Sequence, residues 1–367
     1  MPPIEHLYLH IPFCPKLCPY CCFYVEEGSR NKNIAFLDAL LGELDAAMRD
    51  RPVFPKTIYF GGGTPTALLT EQLEYLLEGL RSRLPLQHLQ EWTVEANPAT
   101  IRPEKAQVLR DAGVTRISLG VQSWNAGTLK TLGRVHSAQQ AHKTYDLLRK
   151  TGFPAINIDL MFSVPGQTPE EWEQDLQTTL ALQPDHISAY CLTYEEDTEY
   201  FRKLSTGQFV QSEEKDARMF ERTMDVLAAG EFRQYEISNH ARSGFESKHN
   251  LAYWEGREYL GLGPSAFSTI DGERLQNVRD TAEYVKRVRS EQSAVLTRES
   301  LSPETLLKES VAFGLRLDTG VSASLLAPWL EETTHLEEIG LLERAQERFK
   351  LTRRGRMLAD AVGERFM

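Results

Sequence analysis

The first half of the chain alternates between short apolar segments and longer segments in which apolar residues recur every three or four positions. The short segments end at glycine, proline or asparagine, as strands buried in a parallel sheet often do. The longer segments have the spacing of helices that bury one face. The predicted strands are residues 7–11, 57–60, 92–95, 116–121, 155–162 and 186–193. The predicted helices are residues 33–48, 70–80, 103–112, 138–150 and 170–182.

A repeated strand–helix order predicts an α/β fold whose strands lie parallel and are joined by right-handed crossovers. Six strands are too few for a closed eight-stranded barrel, so we expect an open, partial (β/α)6 barrel. In barrels of this kind the chemistry is carried by loops that follow the carboxyl ends of the strands. Thr70 is expected to cap the helix that follows the second strand.

The strand–helix repeat ends near residue 197, and the remainder is expected to form two further parts. We predict a barrel over residues 1–196, an extension of it over 197–290, and a mostly helical, winged-helix-like domain over 291–367. The last part is expected to contain a helix, a hairpin ending near Leu351 and a final helix from Thr352. Its scattered acidic residues argue against DNA reading and favour a packing or partner-docking module.

Composition narrows the class of protein. Of 367 residues, 41% are hydrophobic and 25% are charged, as in ordinary soluble proteins. The formal net charge of −11 disfavours binding to nucleic acid or to an anionic membrane. We expect neither a membrane span nor a secretory signal. Peripheral docking to a membrane partner is compatible with this expectation. Five cysteines, four of them between positions 14 and 22, are not a disulfide framework, so a reducing cytoplasm is expected.

The distinctive chemistry lies in the loop after the first strand. Cys14, Cys18 and Cys21 have the spacing C-x3-C-x2-C, and thiolates clustered in this way bind iron–sulfur clusters. A [4Fe–4S] cube needs four ligands, so three cysteines leave one iron open to another ligand. The alternatives are a structural zinc site and cysteines that merely pack, but a zinc site normally requires a second ligand pair, which the sequence lacks.

Further polar residues follow the other predicted strands. A run of three glycines, which includes Gly62 and Gly63 and is followed by Thr64, permits close approach of the backbone to a ligand. Asp159 stands in a strand expected to be buried on both faces, where an unpaired carboxylate is costly. Asp159 is therefore expected to have a partner such as Arg134 or a ligand hydroxyl. Arg134 could form a structural ion pair with it, or could instead bind a ligand carboxylate through two hydrogen bonds.

The cysteine spacing after a Tyr-x-His-Ile-Pro-Phe strand resembles the radical S-adenosylmethionine (SAM) superfamily. The resemblance implies that SAM chelates the open iron and that one electron from the cluster can cleave SAM to a radical. It also implies that Tyr8 contacts SAM; the alternative is that Tyr8 is an ordinary aromatic residue of a strand. The other residues at positions that the resemblance assigns to SAM binding are Gly62, Gly63, Thr64, Glu95, Gln122, Arg134 and Asp159.

Within that superfamily the chain resembles the branch of oxygen-independent coproporphyrinogen III dehydrogenase and the HemW-type heme chaperones. The dehydrogenase pattern has a fourth cysteine where this chain has Phe23, and it has a longer segment before the first cysteine. Cys22 is expected to pack beside the cluster rather than bind it, and Cys191 to pack on a strand. Residues 249–254 match the HNxxYW motif of the HemW-like branch, which is linked there with heme. His249 is therefore either a heme ligand or a histidine that caps a turn beside a core tryptophan.

Two functions follow from the resemblance. The first is a heme chaperone that binds a [4Fe–4S] cluster, SAM and heme, receives an electron from a donor, and passes heme to an acceptor protein. The second is an enzyme that decarboxylates coproporphyrinogen III oxidatively. Phe23, the short segment before Cys14 and the HNxxYW motif favour the first. A radical SAM enzyme acting on an unrelated substrate is a third possibility, because fold does not fix function.

Overall fold

The fold is organised around an open nine-stranded sheet. The computed structural model describes residues 2–367. The strands are β1 (Ile4–Ile11), β2 (Val53–Gly62), β3 (Glu91–Ala96), β4 (Arg116–Gln122), β5 (Ala155–Phe162), β6 (His186–Cys191), β7 (Arg233–Gln234), β8 (Asn239–Ala241), β9 (Leu260–Leu262), β10 (Phe267–Ile270), β11 (Glu273–Asn277), β12 (Val295–Ser300), β13 (Val321–Ser322), β14 (Leu342–Ala345) and β15 (Arg348–Leu351).

Helices connect these strands and cover the outside of the sheet. They are α1 (Arg30–Asp50), α2 (Thr70–Arg83), α3 (Pro103–Ala112), α4 (Ala126–Thr131), α5 (Ala138–Thr151), α6 (Pro169–Ala181), α7 (Glu199–Ser205), α8 (Glu213–Ala229), α9 (Lys248–Trp254), α10 (Thr281–Arg289), α11 (Pro303–Arg316), α12 (Leu330–Glu338), α13 (Arg353–Met357) and α14 (Ala359–Glu364). Among residues 2–367, no helix is both long and apolar enough to cross a membrane.

The strand order is β7-β8-β6-β5-β4-β3-β2-β1-β9. Strands β1 to β6 pair in parallel with their neighbours in the sequence, and β9 returns to pair in parallel with the free edge of β1. At the other edge β8 runs antiparallel to β6. The predicted partial barrel is therefore confirmed, with additional strands at both edges.

The two faces of the barrel strands differ in character. In β5, Ile156, Ile158 and Leu160 belong to the main apolar core. The intervening Asn157 and Asp159 make hydrogen bonds to each other and to side chains of neighbouring strands. Because side chains alternate between faces along a strand, one face packs against the helices and the other lines a polar interior. We call the space inside β1–β6 the lumen. The end of the lumen at which the carboxyl ends of these strands lie is the barrel mouth.

The C-terminal region contains two small antiparallel sheets. Strands β10, β11 and β12 form one of them, and β13, β15 and β14 form the other, with the β14–β15 hairpin that the sequence predicts. A separate apolar cluster, which includes Val311, Leu336 and Phe349, lies beneath the second sheet. The helix–hairpin–helix outline over the last part of the chain is present.

Two details of the prediction are wrong. Residues 295–300 form β12, which pairs with β11, whereas the sequence was interpreted as helical from about residue 290. Most of β12 is exposed, so it lacks the apolar alternation that identifies a strand. Thr70 is the first residue of α2 and not its cap; the side chain of Gln72 accepts the backbone N–H of Leu69 at this helix start.

Candidate functional site

The cysteine loop connects β1 to α1 and is closed at its base by backbone hydrogen bonds. Cys14 N–H donates to the carbonyl of Glu26 (2.9 Å), and Glu26 N–H donates to the carbonyl of Pro12 (2.8 Å). Cys14, Cys18 and Cys21 are half-buried at the barrel mouth. The side chain of Cys22 is exposed, so the expectation that it packs beside the cluster is wrong.

Two polar side chains lie against the cysteine sulfurs. Thr64 Oγ1 is 3.5 Å from Cys14 Sγ, and Arg134 Nη1 donates to Cys18 Sγ across 3.6 Å. Burial raises the pKa of Cys14, and it raises the pKa of Cys21 to about 11. Thiolates at these positions therefore need a compensating cation, which a bound metal centre supplies.

The donor set fits an iron–sulfur cluster. Three thiols on one loop, with hydrogen-bond donors beside two of them, have the ligand chemistry and surroundings of such clusters. Across residues 2–367, no group of three or more His, Cys, Asp or Glu side chains is arranged to hold a single metal ion.

The glycine run brings β2 close to β1. Gly62 has φ = 96°, and a Cβ there would lie 2.5 Å from the His10 ring. A Cβ on Gly63 would lie 2.8 Å from the carbonyl oxygen of Ile11, so the backbone itself occupies the space of a side chain. The N–H of Gly63 donates to that carbonyl (2.8 Å). This close approach places Thr64 beside the cysteine loop.

Glu95 lies in the lumen just below the mouth. Tyr59 donates a hydrogen bond from its hydroxyl to Glu95 Oε1 (2.7 Å). A Cβ on Gly61 would lie 3.1 Å from Glu95 Oε1 and 3.2 Å from the Tyr8 ring, so the predicted residues Tyr8 and Glu95 face the same glycine. Burial raises the pKa of Glu95 to about 8, although the Tyr59 hydrogen bond opposes this shift.

Asp159 is bound by neutral donors and not by Arg134. Ser118 Oγ donates to Asp159 Oδ2 (3.0 Å), and Asn157 Nδ2 donates to Oδ1 (2.7 Å). Burial raises the pKa of Asp159 despite these contacts. The second nitrogen of Arg134 donates to the carbonyl of Gly120 (2.9 Å), so the structural Arg134–Asp159 ion pair is not formed.

Gln122 ends β4 in a left-handed conformation. Its φ is 68°, and the register of β4 against β5 shifts between Gly120 and Gln122. A Cβ added to Gly120 would lie 3.1 Å from the side-chain amide nitrogen of Gln122 and 3.4 Å from Arg134 Nη2. Gly120, Gln122 and Arg134 therefore meet at the carboxyl end of β4.

His249 lies away from the other predicted site residues, at the amino end of the barrel. Its side chain is 1% exposed. Nδ1 is 2.7 Å from Thr57 Oγ1, and Nε2 is 3.0 Å from the Tyr253 hydroxyl. Because both ring nitrogens already have partners, an iron would have to displace one of them. The geometry favours the structural alternative for His249 over the heme-ligand hypothesis.

Sequence reasoning missed the residues that hold the predicted carboxylates. Tyr59 binds Glu95, and Ser118 and Asn157 bind Asp159. Each belongs to the polar set that alternates with apolar residues along its strand. The signal that could have found them is the alternation of polar and apolar residues along β2, β4 and β5. This alternation indicates that one face of the sheet is polar and lines the lumen.

Comparisons with known proteins place the chain in a family. Residues 8–179 match the Radical SAM superfamily, and residues 301–358 match the HemN C-terminal domain. A "Heme chaperone HemW" of Lactococcus lactis is 36% identical over 98% of this chain and 96% of its own length. A "Heme chaperone HemW" of Bacillus subtilis is 35% identical, with 99% of each chain covered.

A solved structure with the same fold is the Escherichia coli coproporphyrinogen III oxidase (HemN), described as a radical SAM enzyme. Its TM-score is 0.86 at 24% identity, over 100% of this chain and 91% of that one. This likeness supports the barrel and the C-terminal module as one shared fold. Taken with the full-length relatives, it shows that the chain belongs to the radical SAM superfamily and, within it, to the HemW family.

Proposed function

We propose that the chain is a heme chaperone that binds a [4Fe–4S] cluster through Cys14, Cys18 and Cys21, binds SAM at the fourth iron, and passes heme to an acceptor protein. The observation that carries the proposal is the set of three thiols at the barrel mouth with Thr64 and Arg134 against their sulfurs. The full-length similarity to HemW chaperones supports the heme role. When bound, the cluster supplies an electron source and a Lewis-acidic iron.

The residues of the chain have separate tasks in this proposal. Gly62 and Gly63 let β2 pass close to β1, which places the Thr64 hydroxyl beside Cys14, where it can accept a hydrogen bond from the SAM amino group. Glu95, fixed by Tyr59, accepts hydrogen bonds from SAM, and Asp159 offers a second carboxylate in the lumen. Arg134 stays by Cys18, where its charge favours the thiolate.

We propose that heme is handled outside the lumen, at the cysteine loop. Leu17 and Phe23 are 50% and 65% exposed on this loop, and Lys16 lies beside them. A porphyrin combines apolar faces with carboxylate side groups, so apolar residues next to a lysine suit it. A cleft of about 530 Å³ runs past Cys18 and Cys21 and is open to solvent.

The test separates chaperone from enzyme. Anaerobically reconstituted protein would be loaded with hemin, mixed with apomyoglobin as a heme sink, and followed by the Soret band; we expect transfer to the sink. The same protein would be incubated with coproporphyrinogen III, SAM and a reductant, and we expect no protoporphyrinogen IX. A variant lacking Cys14, Cys18 and Cys21 is the control for the cluster. Protoporphyrinogen formation, or the absence of hemin binding, would contradict the proposal.

A further inference from the structure

The HNxxYW motif forms helix α9, which closes the amino end of the barrel. Glu91, the first residue of β3, accepts hydrogen bonds from the backbone N–H groups of Lys248 and His249 (both 3.1 Å). Arg116 donates to the same carboxylate (3.1 Å) and to the carbonyl of Phe245 (2.7 Å). A carboxylate at a helix start is favourable because the free N–H groups point at it. The motif is thereby fixed to two barrel strands.

His249 projects from this helix into the bottom of the lumen. Its ring stacks on Tyr59 with centroids 5.1 Å apart and planes 25° apart. The lumen beside it holds a cavity of about 20 Å³, whose lining includes Tyr59, Thr93 and Asn250. This is room for about one water molecule, and unpartnered Thr93 Oγ1 and Arg116 Nη1 offer it hydrogen bonds. A porphyrin cannot reach His249 through this space.

Tyr59 connects the motif to the other end of the barrel. One side of its ring lies on His249, and the ring of Tyr8 stacks nearby with centroids 6.2 Å apart. Its hydroxyl donates to Glu95 at 2.7 Å. A buried ring held between neighbours keeps its hydroxyl in one place, so the direction of the Glu95 carboxylate depends on His249 through Tyr59.

We propose that His249 and Tyr59 are positioning residues that hold Glu95 in its SAM-binding orientation, and that the HNxxYW motif acts on the SAM site in this way rather than as an iron ligand. The inference rests on the proposed function, in which Glu95 contacts SAM. It gives a physical reason for a histidine whose two nitrogens are bound to Thr57 and Tyr253.

The Tyr59 hydrogen bond also affects the charge of Glu95. Several titratable side chains face this carboxylate: Tyr8 from β1, Tyr59 from β2, Asp159 from β5, Tyr190 from β6, and Cys14 from the loop. Burial and the charge of Asp159 favour the neutral form of Glu95, whereas the Tyr59 hydroxyl favours the ionised form. Loss of that hydroxyl should therefore raise the pKa of Glu95.

Tyr59→Phe tests this step because it keeps the ring and removes only the hydroxyl. SAM dissociation constants of the cluster-loaded protein would be measured from about pH 6 to pH 9. We expect roughly tenfold weaker binding near neutral pH, with the pH midpoint moved upward, since a charge-assisted hydrogen bond is lost. Tyr253→Phe, which removes a hydroxyl farther along the same chain of contacts, should have a smaller effect. An unchanged affinity and pH profile in Tyr59→Phe would overturn the proposal.

His249→Gln tests the motif itself. We expect weaker SAM binding in the same direction, an unchanged hemin Soret band, and non-additivity with Tyr59→Phe, because both residues act through Glu95. Loss of hemin binding with unchanged SAM affinity would overturn the inference. Should His249→Gln fail to fold, as judged by circular dichroism and cluster content, Tyr59→Phe still decides.

The inference and the proposed function can fail separately. If the wild-type protein does not bind SAM, the proposed function is wrong. The positioning role is then tested by infrared spectroscopy, which detects the C=O band of the protonated Glu95 carboxyl group. The band is assigned to Glu95 because it is absent in Glu95→Gln. In Tyr59→Phe this band should persist to higher pH than in wild type, and an unchanged titration would contradict the positioning role.

Discussion

Arg134 and Cys18, 116 positions apart in the sequence, meet at the barrel mouth, where Arg134 Nη1 lies 3.6 Å from Cys18 Sγ. The other guanidinium nitrogen donates to the carbonyl of Gly120, which fixes the side chain. A positive charge and a hydrogen bond at a ligand sulfur stabilise the reduced, more negative form of an iron–sulfur cluster.

Arg134→Gln should therefore lower the reduction potential of the cluster without preventing its assembly. The potential would be measured by redox titration followed by electron paramagnetic resonance. Arg110→Gln is the matched control, because Arg110 donates to a carbonyl on the outside of the barrel. An equal shift in both variants, or no shift in Arg134→Gln, would mean that the Cys18 contact does not tune the cluster.

The five cysteines should divide into two classes. Cys14→Ser, Cys18→Ser and Cys21→Ser are each expected to lose nearly all bound iron and sulfide, because a cube cannot be held by two thiolates. Cys22→Ser and Cys191→Ser should retain the cluster; Cys22 is exposed and Cys191 lies on β6. Iron and sulfide analysis with the visible absorbance of the cluster is the measurement. Full loading of any one of the first three variants would remove that residue from the ligand set.

Gly63→Ala should destabilise the fold and reduce cluster content. The added Cβ would lie 2.8–2.9 Å from backbone atoms of Ile11, Pro12 and Phe13, which cannot move aside as a side chain can. We expect a loss of about 1–3 kcal/mol in the free energy of unfolding. Gly42→Ala is the control, since Gly42 lies within α1 and its Cβ would meet only Val288 Cγ1 at 3.4 Å. That variant should be unchanged or more stable by about 0.5–1 kcal/mol.

The raised pKa of Glu43 should make the free energy of unfolding decrease as the pH rises from about 4.5 to about 7. Glu43 accepts hydrogen bonds from Tyr284, Asn277 and Gly263, yet burial raises its pKa to about 7, against 4.5 for the ordinary group. Between these two pH values the unfolded chain loses the proton and the folded chain keeps it. The free energy of unfolding should therefore decrease across this window by up to about 3 kcal/mol.

Urea denaturation of the cluster-free protein at about pH 5 and pH 8 measures this effect. In Glu43→Gln the difference between the two pH values should shrink by the contribution of this carboxyl, while other groups titrate as before. An equal pH dependence in wild type and Glu43→Gln would show that the Glu43 carboxyl is already ionised when the chain is folded.

The barrel could be predicted closely from the sequence because local signals agreed with the fold. Helix α3 was predicted with its observed bounds, and Gly113 ends it in a left-handed conformation (φ = 101°). Strand β5 was also predicted with its observed bounds. Apolar strands between glycine and proline boundaries depend little on distant contacts, so their positions can be recognised without knowing their neighbours.

Residues whose role depends on distant partners could not be predicted in this way. The sequence predicts a partner for Asp159 such as Arg134 or a ligand hydroxyl, but its partners are Ser118 of β4 and Asn157 of its own strand. The spacing along a strand shows which of its residues share a face, but not which residue of a neighbouring strand lies beside them. His249 carries a recognisable motif, yet its contact with Thr57 spans 192 positions. Only the folded chain shows that this motif lies at the far end of the lumen from the cysteines.

The place of β1 in the sheet has a consequence for synthesis. Leu7 pairs on one side with Ile58 and on the other with Leu260, which the ribosome adds 253 residues later. At about 5–20 residues per second, this interval lasts roughly 10 to 50 seconds. Throughout it, the strand that leads into the cysteine loop has one edge without its native neighbour. During this period the bare edge of β1 can pair with a strand of another chain, so the growing chain is vulnerable to aggregation until β9 completes the sheet.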